Sequence, residues 1–104
     1  IGVKMKVRFS RQARTDLAEI TAAISKDNPK RAETYTDELE AACTSLSTMP
    51  DAFQVFAQRN ELEIRRKPHG NYVILYRVSG RHVDILRIIH GARNYQRQFP
   101  KRAP

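Results

Sequence analysis

"YVILYRVSGRHVDILRII", Tyr72 to Ile89, holds the pattern on which the fold turns. Tyr72, Ile74, Tyr76 and Val78 alternate with Val73 and Leu75. After the turn "SGRH", Val83, Ile85 and Ile89 alternate with Leu86 and Ile88. Both faces of both strands are therefore apolar, which requires cover on each side of a sheet. A domain of this size seldom leaves such a patch bare. The expectation is that one face packs on helices, while the segment 51–60, the C-terminal tail and a partner segment cover the other.

Working outward, "ELEIRRKP" alternates through Leu62 and Ile64 and leads into the Gly-containing turn "HGN", so three consecutive strands form an antiparallel meander. At the other end of the chain "MKVRFS" sets Met5, Val7 and Phe9 against Lys6, Arg8 and Ser10, a strand with one covered face. Ser10 then offers an N-cap, and Ala13, Leu17, Ile20 and Ile24 predict a helix over about 11–26. Asn28 and Pro29 stop that helix and start a second. Ala32, Tyr35, Leu39, Ala42, Cys43, Leu46 and Met49 carry its apolar stripe toward Pro50. From Asp51 to Asn60 the alternation fails, and the segment reads as a loop pinned by Phe53, Val55 and Phe56.

The resulting order, β-α-α-β-β-β, is an α+β domain: an N-terminal helical hairpin packed on a curved antiparallel sheet. The 104 residues make a single domain. Residues 1–4 read as a cloning remnant or a short N-terminal extension, and "QRQFPKRAP", 96–104, as a loosely ordered tail.

Nineteen Lys plus Arg against eleven Asp plus Glu give a net charge of +8 and an isoelectric point near 10.2, so an acidic partner is expected. A lone cysteine, Cys43, excludes an internal disulfide and fits a buried thiol in a reducing compartment. The longest apolar run, around "YVILY", is a handful of residues against the ~20 a membrane span needs, so the expected location is cytoplasmic.

Three histidines, His69, His82 and His90, lack the spacing and neighbouring carboxylates of a metal set, so neither metal nor cofactor is expected. Nucleophile elbows and phosphate loops are missing from the sequence, and Cys43 lies among apolar neighbours. What remains is cationic and aromatic: Arg65, Arg66, Lys67, His69, Arg77, Arg87, His90, Arg93, Asn94 and Tyr95. Metal-free RNA cleavage needs cations for the developing phosphate charge and a base and acid for the 2′- and 5′-oxygens. Arg87, His90, Arg93 and Tyr95 are of those types. Arg and Tyr are equally the anchors of protein interfaces. A structural alternative pairs Arg87 with a helix carboxylate such as Asp16 or Glu19.

"RRKPHGNYVILYRV" followed by "VDILRIIHGARNY", with "KVRFSRQARTDLAEI" ahead of them, resembles the ParE branch of the RelE/ParE toxin superfamily. The resemblance implies a toxin of a type II toxin–antitoxin pair, which stabilises a plasmid or chromosome by growth inhibition. It implies a DNA gyrase target and a ParD-like antitoxin that wraps a helical segment and a strand around the toxin. On that basis the target-binding set is Arg65, Arg66, His69, Arg77, Arg87, His90, Arg93, Asn94 and Tyr95, and the antitoxin-binding set is Leu17, Ile20, Ile24, Tyr72, Ile74 and Tyr76. RelE-type relatives instead cut mRNA on the ribosome, with Arg87, His90, Arg93 and Tyr95 as the matching residues. Helix 2 carries Glu33, Asp37, Glu38 and Glu40 where that branch has a basic surface, which favours the gyrase-directed reading.

Overall fold

In a computed structural model the described residues are 4–59 and 61–92, the side chains of 56 and 59 excepted. The strand β1 (Lys6–Phe9) leads into helices α1 (Arg11–Asp27) and α2 (Pro29–Thr44), a 3-10 turn (Ser45–Ser47), and strands β2 (Gln54–Arg59), β3 (Leu62–His69), β4 (Tyr72–Ser79) and β5 (His82–His90). The sheet runs β1-β5-β4-β3-β2.

Local chemistry accounts for the helical hairpin. The Ser10 hydroxyl accepts the Ala13 amide at 3.0 Å and closes the first turn of α1. The Asn28 amide N–H donates to Ile24 O to end α1, and its side-chain oxygen accepts from the Arg31 amide to begin α2, with Pro29 in the first turn. A Thr21–Thr36 hydroxyl bond ties the two helices together.

Three sequence expectations are corrected. The segment 51–60 is not wholly loop: Gln54–Arg59 pairs antiparallel with β3, and a register shift between Val55 and Ala57 destroys the alternation that would have revealed it. Helix α2 ends at Thr44, and a 3-10 turn carries buried Leu46 onward. The sheet is mixed, because β1 pairs parallel with β5 (Val7 opposite Val83, Phe9 opposite Ile85). Hairpin patterns report only neighbours in sequence, so this return pairing leaves no local mark.

The two-faced strands have two cores. Ile74, Tyr76, Val83, Ile85 and Ile88 pack on Ala13, Ile20, Leu39, Cys43 and Leu46 of the helical layer. Ala57, Ile64, Val73, Leu75 and Ile89 form a second buried cluster on the opposite face, with Leu86 against it. The expected parity of β5 breaks midway: Ile85 stands opposite Tyr76 and Arg87 opposite Leu75, leaving Leu86 as a bulge. Beyond it Ile88 faces the helices and Ile89 faces away.

Gly70 holds φ +57° in the two-residue turn between β3 and β4, and a Cβ there would stand 2.8 Å from the Tyr35 hydroxyl oxygen. Gly70→Ala is expected to destabilise the domain by about 1–3 kcal/mol, measured by urea denaturation. A Gly80→Ala control, with no atom within 4 Å of its Cβ but the same sign of φ, should cost less.

Candidate functional site

Arg87 is an interior residue. Its Nε and Nη2 donate to the two carboxylate oxygens of Asp16 at 2.8 and 3.1 Å, and the Ile88 amide donates to the same carboxylate at 2.9 Å. The pair is mostly buried, with side-chain exposures of 15% and 9%. The Asp16 hydrogen bonds push the Arg87 pKa above its ordinary value, so its charge is permanent. At the N-cap of α1, Ser10 anchors the bulge itself, its hydroxyl donating to Leu86 O at 2.8 Å. The first half of α1 thus shapes the exit of β5.

That exit leads to His90, whose ring packs edge-on against Tyr72 at 5.3 Å. Its Nδ1 accepts the Ala92 amide at 3.1 Å, which leaves the proton of the neutral imidazole on Nε2. His69 stands opposite Tyr72 on β3, and Tyr35 lies 5.8 Å from the His69 ring and 6.0 Å from Tyr72. Two adjoining grooves run along this aromatic row. One, of about 360 Å³, is lined by Asp16, Glu19, Ile20, Ala23, Tyr72 and His90 among others. The other, of about 300 Å³, is lined by Ile24, Arg31, Tyr35, Gly70, Asn71 and Tyr72. Burial raises the Tyr35 pKa, so its hydroxyl stays protonated near neutral pH.

The other sequence-predicted residues scatter. Arg65 faces the helical layer, where it donates to Phe53 O at 2.7 Å and holds the chain between α2 and β2. Lys67 lies over the Phe53 ring at 4.2 Å. Arg66 and Arg77 belong to the opposite face, in register with Leu75 and Ile64. Arg93, Asn94 and Tyr95 lie outside the described residues. Of the expected antitoxin contacts, Ile74 and Tyr76 have no exposed surface and Ile20 almost none. These three are core residues, and Leu17, Ile24 and Tyr72, partly buried around them, are the members with surface to offer. Among the described residues no group of three or more His, Cys, Asp or Glu is placed to hold a metal, and no helix is long and apolar enough to cross a membrane.

Asp16, Ser10 and Tyr35 are organising residues that sequence reading did not place at the site, although Asp16 was named as an acceptor for Arg87. Asp16 stands on the buried side of α1 between Ala13 and Ile20, and a carboxylate in a helical apolar stripe was the signal available.

A helical hairpin on a five-stranded mixed sheet is a fold shared with solved chains of toxin–antitoxin systems. Residues 7–95 match the family model described as ParE toxin of type II toxin-antitoxin system, parDE, and the chain belongs to that family. It is a ParE-type toxin of the RelE/ParE superfamily. A chain of the chromosomal ParDE system from P. aeruginosa superposes with a TM-score of 0.70 at 18% identity, covering 86% of this chain and 98% of that one. The RelBE2 toxin–antitoxin complex from Mycobacterium tuberculosis gives 0.61 at 27% identity, over 89% and 98%. The archaeal RelE–RelB complex from Pyrococcus horikoshii OT3 gives 0.53 at 18%, over 86% and 98%, a likeness of fold. Comparison with curated protein sequences returned no match.

Asp16→Ala is expected to cost about 3–5 kcal/mol in denaturant unfolding, because it strands a buried guanidinium and an amide. In a double-mutant cycle with Arg87→Met the second change should recover part of that loss. Burial also pushes the Tyr76 hydroxyl, which donates to Pro50 O at 2.7 Å, and the Cys43 thiol up to about 12 each. The folded state holds these protons more tightly than the unfolded chain, whose ordinary values are 10.0 and 9.0. Stability should therefore be fully present below pH 9 and fall from there to about pH 12, with a shallower fall in Cys43→Ala, read from melting temperature against pH.

Proposed function

We propose that this toxin acts by binding rather than by cutting RNA: it inhibits DNA gyrase and is held inactive by a ParD-like antitoxin. The observation that carries the reading is the engagement of Arg87. A phosphate-stabilising arginine must present its guanidinium to the substrate, whereas this one already spends two donors on a carboxylate inside the domain. His90 opens onto a groove that also presents the Glu19 carboxylate, which disfavours phosphate, while Asp16 there is already neutralised by Arg87. Arg66 and Arg77 lie on the other face of the sheet. The residue types for RNA cleavage are present, but their charges are spread over two faces, which suits a broad protein contact.

The groove along Ala23, Ile24, Tyr35 and Tyr72 is the surface we assign to the antitoxin. Its lining is mixed: apolar and aromatic around Ile24, Tyr35 and Tyr72, with Asp16, Glu19 and His90 toward one end and Arg31 and Asn71 toward the other. The target contact then falls to the sheet and its exit, with His69, His90, Arg66, Arg77 and the sequence Arg93 to Tyr95. The RelE-like alternative keeps one support, the likeness to the RelBE2 complex.

Purified toxin should inhibit gyrase supercoiling and accumulate cleaved DNA, and added ParD-type antitoxin should reverse this. Supercoiling that proceeds at a large excess of toxin overturns the gyrase reading. In parallel, translating ribosomes should yield intact mRNA. Cutting that disappears in Arg93→Ala would establish the nuclease instead.

A further inference from the structure

The face of the sheet turned away from the helices carries an unmet electrostatic demand. Arg66 stands opposite Leu75, and Arg77 opposite Ile64, so the two arginines occupy diagonal corners of one cross-strand square whose other corners are buried and apolar. Diagonal neighbours of this kind are roughly 7–8 Å apart. Both Nε atoms are buried and neither has a hydrogen-bond partner. Arg77 Nε is 3.8 Å from the Asp84 carboxylate, beyond hydrogen-bond reach, and that carboxylate already accepts two bonds from Arg8 at 2.7 and 3.2 Å. Arg66 makes no ion pair within the described chain. A buried N–H without an acceptor is costly, and a charged one more so.

We infer that Arg66 and Arg77 form a receptor for two carboxylates, filled in the complex by an acid-x-acid stretch of the antitoxin in extended conformation. Alternate side chains of an extended chain are ~6.7 Å apart, which matches the diagonal. The acceptor is protein carboxylate rather than nucleic-acid phosphate because the row Arg8–Asp84–Arg77 is interrupted by an anion, which breaks the continuous cationic track a polyanion follows. The apolar residues around the pair favour an acidic segment with apolar side chains between its charges. The inference rests on the antitoxin reading above and adds to it: because Arg66 and Arg77 also belong to the assigned target surface, the antitoxin would neutralise the toxin by direct competition for the same two guanidinium groups.

The test uses the purified full chain and a synthetic peptide of alternating Glu and Leu, its Gln–Leu counterpart, and a single-stranded RNA of the same formal charge. Calorimetry should find the Glu peptide at least tenfold tighter than the Gln peptide, with the difference abolished in R66Q/R77Q and the salt dependence reduced with it. In the wild-type chain the Glu peptide should protect Arg66 and Arg77 from an arginine-selective dicarbonyl reagent, read by peptide mass mapping, which needs no variant to fold. Equal affinity for the two peptides, unchanged binding by a folded R66Q/R77Q, or no protection overturns the receptor. RNA binding through the same two arginines more tightly than the Glu peptide overturns the choice of carboxylate. Separately, co-expressed antitoxin that fails to restore growth removes the antitoxin reading, whatever the peptides show.

Discussion

The architecture depends on one carboxylate. Asp16 is buried on the inner side of α1 and accepts three hydrogen bonds, two from the guanidinium of Arg87 and one from the Ile88 amide. An isolated charge there would be prohibitive, so neither partner is free to leave the other. The consequences are geometric. The bond to Ile88 fixes the backbone just past the bulge at Leu86, and Ser10 fixes the bulge from the other side. The bulge changes which side chains of β5 face the helices, so Ile88 enters the helical core, Ile89 the opposite one, and His90 emerges beside Tyr72. A single helix-to-strand contact therefore positions the exit on which the functional reading rests.

The same contact sorts the arginines. A net charge of +8 suggests a uniformly basic surface, but Arg87 is consumed by Asp16, and Arg65 supports the backbone at Phe53. Arg31 pairs with Glu38 on the exposed side of α2. Among the arginines that remain, Arg66 and Arg77 stand together over apolar neighbours on the far face of the sheet. The helical side offers instead an aromatic groove with opposite charges at its ends. Two faces of different chemistry fit a toxin that must meet both a target and an antitoxin.

Legibility in the sequence followed the range of the interaction. Both helices, the caps at Ser10 and Asn28 and the meander could be read because a few adjacent residues encode them. The strand β2 could not, because its register shift removes the period-2 signal, and the parallel pairing of β1 with β5 joins residues more than seventy positions apart. Arg87 is instructive. The sequence allows its pairing with Asp16, but through a strand parity that the bulge at Leu86 interrupts. Pattern alone places Ile74 and Tyr76 at an interface as readily as in a core, because two buried apolar faces cannot be told from one covered face and one docking face.

The sequence by itself determined the element types, the α+β class, the basic balance and the toxin-like order of motifs, since periodicity, capping and composition are local properties. Only the tertiary structure decided which apolar face is closed, which arginines are spent internally and which remain, because those outcomes depend on partners brought together from opposite ends of the chain. Asp16 and Arg87 are seventy-one residues apart. No window of sequence contains both, and the chemistry of the site follows from their meeting.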